Sequence, residues 1–255
     1  MTAAPAEQIV EYLLRLGDDR LILGHRLSEW CAHAPIPEED IALANIALDL
    51  IGHASMLLSE AGTREGKGRD EDALAFGRDV AEFRNCLLVE QPNGDFAHTM
   101  VRQYFVDVYS DLLYDRLKTS TYLPLSEIAS KAHKEITYHL RHSSGWVLRL
   151  GDGTEESHAR TQSAVDDLWM YTSELIGDDT LETSLAASGV APRAKDFADE
   201  WRQRVTRHLH KATLAVPPDV AHHLARGRDG RHTESLGHLL ALMQSVPRAH
   251  PGARW

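Results

Sequence analysis

The sequence predicts an all-α protein in which four long helices form a bundle and additional helices pack around it. Apolar residues recur at helical spacing along nearly all of the 255 residues, whereas patterns typical of strands are nearly absent. Hydrophobic residues make up 43% of the chain, which is enough for a sizeable core. Because no linker divides the sequence, we expect residues 1–255 to form one helical domain.

The individual helices follow from this periodicity and from residues that begin or end helices. The clearest example covers residues 38–61, where Pro37 precedes the helix, Glu38-Glu39-Asp40 form its first turn and Gly62 follows its expected end. This arrangement suits the helix dipole and a glycine C-cap. The predicted helices are about residues 7–32 (bent near Gly17-Asp18-Asp19), 38–61, 72–83, 96–119, 123–150, 154–176, 192–214 and 233–245. An exposed loop at 63–71 and a turn at 91–94 are also expected.

The composition indicates which partners the protein can bind and in which cellular compartment it works. The formal net charge of −11 argues against a nucleic-acid partner, which needs clustered Lys and Arg. Cys31 and Cys86 are too few for a disulfide framework, which indicates a reducing compartment. No signal peptide is visible at the start, and no stretch reaches the roughly 18–20 uninterrupted apolar residues of a membrane helix. The sequence therefore predicts a cytoplasmic protein with neither a nucleic acid nor a membrane as partner.

Two histidines in predicted helices carry the most functional information. A four-helix bundle that holds two irons uses a Glu-x-x-His pair on each of two helices, with the side chains inward. Here the residues three places before His53 and His139 are Leu50 and Ile136. A hydrocarbon stands at each position where a carboxylate is expected. The sequence thus indicates a di-iron scaffold that has lost most of its ligands, and so the partner of an oxygenase.

A shifted ligand register leaves an alternative open. Asp49 and Glu135 lie four residues before the two histidines and could share a face with them. The complete candidate ring is Glu29, Asp49, His53, Asp107, Glu135 and His139. Moving a ligand from i+3 to i+4 swings it by about 100° around the axis, however. The sequence favours a buried polar cluster over a bound cation, and we therefore expect no metal in this chain. The alternative function is a stand-alone di-iron or mixed-metal oxidase.

Two further groups could bind ligands. Arg226, Arg228 and Arg231 lie within six residues, each next to a glycine, and could contact CoA phosphates by bidentate hydrogen bonds. The sequence favours the other interpretation, a solvated loop whose arginines pair with nearby acids. Aromatic side chains at helical spacing could line a pocket but are more typical of a core or an interface. They are Tyr104, Phe105, Tyr109, Tyr114, Trp146 and Trp169.

At these residues the sequence resembles a known family, the PaaC-type subunits of multicomponent phenylacetyl-CoA epoxidases. The matching stretches extend over nearly the whole chain, and in combination they are specific. They are Leu14–Asp18, Ser28–Cys31, Leu43–Leu50, Leu88–Gly94, Arg102–Phe105, Lys134-Glu135, Tyr138–Arg141, Gly145-Trp146, Arg149–Gly151 and His232–Glu234.

The resemblance implies a ferritin-like fold and a cytoplasmic role in aerobic phenylacetate breakdown. It implies a non-catalytic structural subunit, without a cofactor of its own, that pairs with a homologous catalytic subunit. That partner carries the di-iron site and binds the CoA thioester, while a separate flavin and iron–sulfur reductase supplies electrons from NADPH. Further oxygenase subunits and self-association are left open. Leu50 and Ile136 fall at the catalytic relative's glutamate positions, so its ligand roles do not carry over.

Overall fold

The computed structural model describes residues 4–177, 179–218 and 226–253. Within these ranges the regular secondary structure is helical and contains no strand, which confirms the predicted all-α, ferritin-like helical fold. The α-helices are α1 (Ala6–Ser28), α2 (Pro37–Glu65), α3 (Glu71–Phe76), α4 (Leu87–Glu90), α5 (Phe96–Leu117), α6 (Leu123–Gly151), α7 (Glu155–Trp169), α8 (Thr172–Leu175), α9 (Thr180–Ala187), α10 (Ala198–Lys211), α11 (Glu234–Met243) and α12 (Ser245–Ala249). Short 3₁₀ helices cover Val80–Glu82, Ala194–Phe197 and Gly227–Asp229.

The described residues form two compact units. The α1 unit contains Ala4–Pro92 together with the described part of Leu224–Trp255. The α5 unit contains the described part of Asn93–His223. The expectation of a single domain over residues 1–255 stays a prediction.

The α1 unit is built on an antiparallel pair of long helices, α1 and α2. Gly17 faces Leu58 of α2, whereas Gly24, further along α1, faces Ala47, earlier in α2. A Cβ at Gly17 would lie 2.7 Å from the Leu58 side chain, so glycine permits the close approach of the two helices. The sequence predicted a bend here. Helical structure continues through these residues, and Gly17 serves helix packing; the bend itself stays a prediction.

The α5 unit is built on a second antiparallel pair, α5 and α6. Ser126 Oγ donates to the Lys118 carbonyl oxygen at 2.6 Å, near the turn between the helices. Further from that turn, Ser143 Oγ donates to Asp107 Oδ2 at 2.7 Å. Helices α7 and α10 pack against this pair.

Aromatic side chains fill the core of the α5 unit. The Phe105 and Trp201 ring centroids are 6.0 Å apart, and Trp201 Nε1 donates to the Phe105 carbonyl oxygen at 3.2 Å. The predicted core role is confirmed by burial for Tyr104, Phe105, Tyr109, Tyr114 and Trp169. Trp146 is half-buried and packs edge-on against Phe96, with 5.0 Å between ring centroids.

Local sequence signals set several helix starts. Pro37 occupies the first turn of α2, followed by three acidic residues that suit the positive end of the helix dipole. Thr154 caps α7, because its Oγ1 accepts from the Ser157 backbone N–H at 3.2 Å. Asp95 caps α5 in the same way, by accepting from the His98 N–H at 2.9 Å.

Several predicted helix bounds were wrong. α1 ends at Ser28 rather than Ala32, and turns follow it. α2 continues to Glu65, with Gly66 as its C-cap at φ +70°, so Gly62 lies inside the helix. Two predicted helices are interrupted, at Gly77–Asp79 and at Met170–Tyr171. The helix predicted over 192–214 begins as a 3₁₀ helix at Ala194–Phe197, and α10 ends at Lys211. Helices α4, α9 and α12 were not predicted.

Of the described helices, α2 is long and apolar enough by length and composition to cross a membrane. The mean hydropathy of its most apolar window is 1.7, and 44% of that window is buried inside the protein. Core helices of soluble proteins meet the same criteria. The expectation that the protein has no membrane partner therefore stays a prediction.

Gly62 and Gly52 provide a matched test of packing at the end of α2. A Cβ at Gly62 would lie 2.1 Å from the Arg69 carbonyl oxygen, whereas a Cβ at Gly52 meets nothing within 4 Å. We expect Gly62→Ala to lower the free energy of unfolding by about 1–3 kcal/mol through overpacking. Gly52→Ala should raise it by about 0.5–1 kcal/mol, because alanine loses less backbone entropy in a helix. Urea unfolding measures both, and equal stability of the two variants would contradict this packing.

Candidate functional site

The predicted ring residues of the α1 unit do not form a set of buried donors. His53 is buried in α2, and Leu50, one turn before it, is completely buried. Asp49 is half-buried. Glu29 follows the last residue of α1 and is exposed, and its Oε1 accepts from Arg26 Nη1 at 2.9 Å. Of these four residues, only His53 is both buried and able to bind a metal.

The ring residues of the α5 unit include a buried carboxylate whose two oxygens are both hydrogen-bonded. Asp107 Oδ1 accepts from Gln103 Nε2 at 2.8 Å, and Oδ2 accepts from Ser143 Oγ at 2.7 Å. His139 is buried, and Ile136, one turn before it, is completely buried. Glu135 is half-buried. The buried acid is thus stabilised by an amide and a hydroxyl of its own unit.

This donor set does not fit a di-iron centre, which needs about four carboxylates and two histidines. Leu50 and Ile136 place hydrocarbon at two buried positions, and Glu29 is exposed. In the described part of the chain, no group of three or more His, Cys, Asp and Glu side chains is arranged to hold a metal ion. Each unit thus supplies one buried histidine, and the α5 unit also supplies one buried, hydrogen-bonded carboxylate. The absence of a metal from this chain stays a prediction.

The three arginines of residues 226–231 differ in burial. Arg228 is buried, and its Nη1 and Nη2 donate to Asp19 Oδ1 and Oδ2 at 3.0 and 2.6 Å. This is the bidentate geometry expected for a phosphate, but an aspartate of α1 occupies it. Arg226 is half-buried and Arg231 is exposed. Contact with a CoA phosphate stays a prediction for Arg226 and Arg231.

The segment around Arg228 is packed into the α1 unit, which the favoured interpretation of a solvated loop did not anticipate. A Cβ at Gly227 would lie 2.1 Å from the Asn85 carbonyl oxygen, so only glycine allows this approach. Arg228 Nη1 also donates to the carbonyl oxygens of Arg15 and Arg84, at 3.1 and 2.9 Å. The guanidinium therefore connects this segment to α1 and to the chain before α4.

Asp18 and Asp19 are structural residues that sequence reasoning missed. Asp18 is completely buried and forms a bidentate ion pair with Arg78, whose Nη1 lies 2.9 Å from Asp18 Oδ2. The same oxygen accepts from the Arg84 backbone N–H at 2.7 Å. Asp19 Oδ1 accepts from the Cys86 N–H at 2.8 Å. A pair of acids within an apolar stretch of α1 was the available signal, but their partners are distant in sequence.

Glu90 is the centre of a second buried cluster in the α1 unit. Its Oε1 accepts from Thr233 N and Oγ1 at 2.6 and 2.8 Å, and Oε2 accepts from Asn85 Nδ2 at 2.8 Å. His232 Nδ1 lies 2.7 Å from Oε2, and Nε2 lies 3.0 Å from the Phe83 carbonyl oxygen. Since both ring nitrogens face acceptors, the doubly protonated imidazolium satisfies both contacts.

Comparison with known proteins supports the resemblance noted in the sequence. A family model described as "Phenylacetic acid catabolic protein" matches residues 1–255. The chain is 47% identical over 248 residues to the C subunit of the 1,2-phenylacetyl-CoA epoxidase of Escherichia coli (strain K12). The alignment covers 97% of this chain and 99% of that relative. The resemblance predicted from the sequence is therefore confirmed.

Arg228 and Arg231 form a matched pair for testing the buried ion pair. Arg228→Gln should lower the free energy of unfolding by about 3–5 kcal/mol, because Asp19 stays buried without its cation. Arg231→Gln, at an exposed position of the same segment, should change it by no more than about 0.5 kcal/mol. Asp19→Asn combined with Arg228→Gln should recover part of the loss. Chemical unfolding checks all three, and an Arg228→Gln variant as stable as Arg231→Gln would refute the role of the pair.

Proposed function

Because the chain belongs to the phenylacetic acid catabolic protein family, we propose that it is a non-catalytic structural subunit of a phenylacetyl-CoA epoxidase. The observation that carries the proposal is the burial of Leu50 and Ile136 three residues before His53 and His139. The Escherichia coli relative, 47% identical over nearly its whole length, supports the assignment to this complex. In this proposal the chain works in the cytoplasm, in phenylacetate catabolism.

The chemistry of the proposed complex lies in a homologous catalytic subunit. That partner holds the di-iron centre, binds the CoA thioester and activates oxygen, while a reductase supplies the electrons. This chain contributes neither a metal nor another cofactor. Its role is to hold the catalytic partner in its working conformation, which requires rigid helices and a surface for contact. The buried ion pairs of Asp18 and Asp19 support the first requirement.

An uncharged stripe on α2 supports the second requirement. Ile41 and Leu48 are 65% and 67% exposed, although both are large apolar side chains. From residue 41 to residue 59, the other exposed residues of α2 carry no charge. They are Asn45, Gly52, Ser55 and Ser59. A solvated helix face normally carries charges, whereas interface cores are depleted of them. We assign this stripe to contact with a helix of the catalytic subunit.

Metal analysis of the chain purified alone tests the non-catalytic role. The proposal expects iron far below one per chain and no epoxidation of phenylacetyl-CoA. After co-expression with the catalytic subunit, the two should co-purify, and an obligate interface should bury well above roughly 2,000 Å². About two irons per lone chain, with an oxo-bridge absorption band, would instead favour the stand-alone oxidase.

Leu48 and Leu242 offer a matched test of the contact surface. We expect Leu48→Glu to weaken binding of the catalytic subunit by about tenfold or more, because it buries a charge in the interface. Leu242→Glu places the same charge on α11, where the leucine is 74% exposed, and should leave binding unchanged. Titration calorimetry measures both affinities. Unchanged binding by Leu48→Glu would exclude this stripe from the interface.

A further inference from the structure

A basic groove lies within the α5 unit, between α5, α6 and α10. Its volume is about 230 Å³. The lining residues that come from α10 are spaced i, i+3, i+4 and i+7, so they lie on one face of that helix. The lining residues are Tyr104, Val108, Leu140, Ser144, Arg204, Arg207, His208 and Lys211. None of the ring residues or of the arginines at 226–231 belongs to it.

The lining of the groove is strongly positive in an otherwise acidic chain. It contains three permanent cations and no carboxylate, whereas the whole chain has a net charge of −11. Arg204 is neutralised by Asp111 Oδ2 at 2.8 Å and Glu200 Oε1 at 2.7 Å. Arg207 and Lys211 are exposed at the groove and form no ion pair with any residue that the structure describes. Two positive charges are therefore left for a ligand.

Tyr104 supplies a second, independent observation. Only 2% of this residue is exposed, and its hydroxyl makes no hydrogen bond with the residues of the described ranges. Burial raises the pKa of the Tyr104 phenol, so the hydroxyl stays protonated and can donate. Although the ring is buried, the hydroxyl oxygen reaches the surface of the groove. It can therefore donate a hydrogen bond to an acceptor bound there.

His208 positions this hydroxyl. Its ring centroid lies 4.8 Å from that of Tyr104, and its Nε2 lies 2.8 Å from the Ser144 carbonyl oxygen. Burial lowers the pKa of the His208 imidazole, and the neighbouring Lys211 lowers it further. The ring is therefore neutral at pH 7, and Nε2–H donates to the carbonyl. Helix α6 thus fixes the imidazole, which packs against the phenol.

We propose that this groove binds a phosphate group, which Arg207, Lys211 and the Tyr104 hydroxyl hold together. Two unneutralised cations match the charge of a phosphate dianion better than that of a single carboxylate. The volume lies below the roughly 300–1,000 Å³ of sites for drug-sized ligands, so the groove takes free phosphate or one phosphate of a larger molecule. The proposal goes beyond the structural role of the chain and does not depend on it.

The test measures binding to the purified chain in low-salt, phosphate-free buffer. The probes are inorganic phosphate and, separately, coenzyme A, whose phosphates are part of a larger ligand. Titration calorimetry should detect at least one of them, with 1:1 stoichiometry. Arg207→Gln combined with Lys211→Gln should weaken that binding by at least about tenfold, and Tyr104→Phe by about three- to tenfold. Bound phosphate should also raise the NMR-detected pKa of His208 in the unmodified protein but not in the double variant.

A charge-matched control separates the groove from general surface charge. Lys134→Gln combined with Arg149→Gln removes the same two charges from exposed positions of α6 and should leave binding unchanged. Tighter binding of coenzyme A than of phosphate identifies a nucleotide-type ligand, and equal affinities identify free phosphate. Binding of neither probe at millimolar concentration, or equal weakening by the groove and control variants, would overturn the proposal. Co-purification with the catalytic partner is measured separately, so failure here does not affect the proposed structural role.

Discussion

The buried ion pairs of Asp18 and Asp19 are the interactions on which the α1 unit depends. Each carboxylate lies inside the protein, where an unpaired charge is costly, and each is matched by one guanidinium. The partners, Arg78 and Arg228, lie 60 and 209 residues away in sequence. These contacts therefore connect α1 to two distant segments. Since α1 also packs along α2, they help to fix the helix that carries His53.

Buried polar and apolar residues of the two units meet the cost of burial in different ways. A buried carboxylate must be balanced by a cation or by hydrogen-bond donors. In the α5 unit, Asp107 receives its donors from Gln103 and Ser143. Leu50 and Ile136 are also buried, but their hydrocarbon side chains need neither a cation nor a hydrogen-bond donor. Both arrangements leave no buried charge without a partner at these positions.

Local signals made the long helices predictable, whereas contacts between distant residues did not appear in the pattern. Proline and acidic residues marked the start of α2, and Thr154 marked that of α7. The end of α2 was wrong because Gly62 serves a close approach to the Arg69 carbonyl oxygen, and not a cap. The groove on α10 was missed for a similar reason. Its tyrosine lies about one hundred residues before Arg207, and only folding brings them together.

The long sequence separation within the α1 unit has a consequence for protein synthesis. Residues 93–223, which include all the described residues of the α5 unit, leave the ribosome before residues 226–235 do. Until that last segment emerges, Asp19 lacks Arg228, and Glu90 lacks His232 and Thr233. The nascent chain therefore cannot complete the interior around α1 until residues 226–235 have emerged. A chain that ends before residue 226 would lack these contacts with α1, and the exposed, incompletely packed helix would favour its degradation.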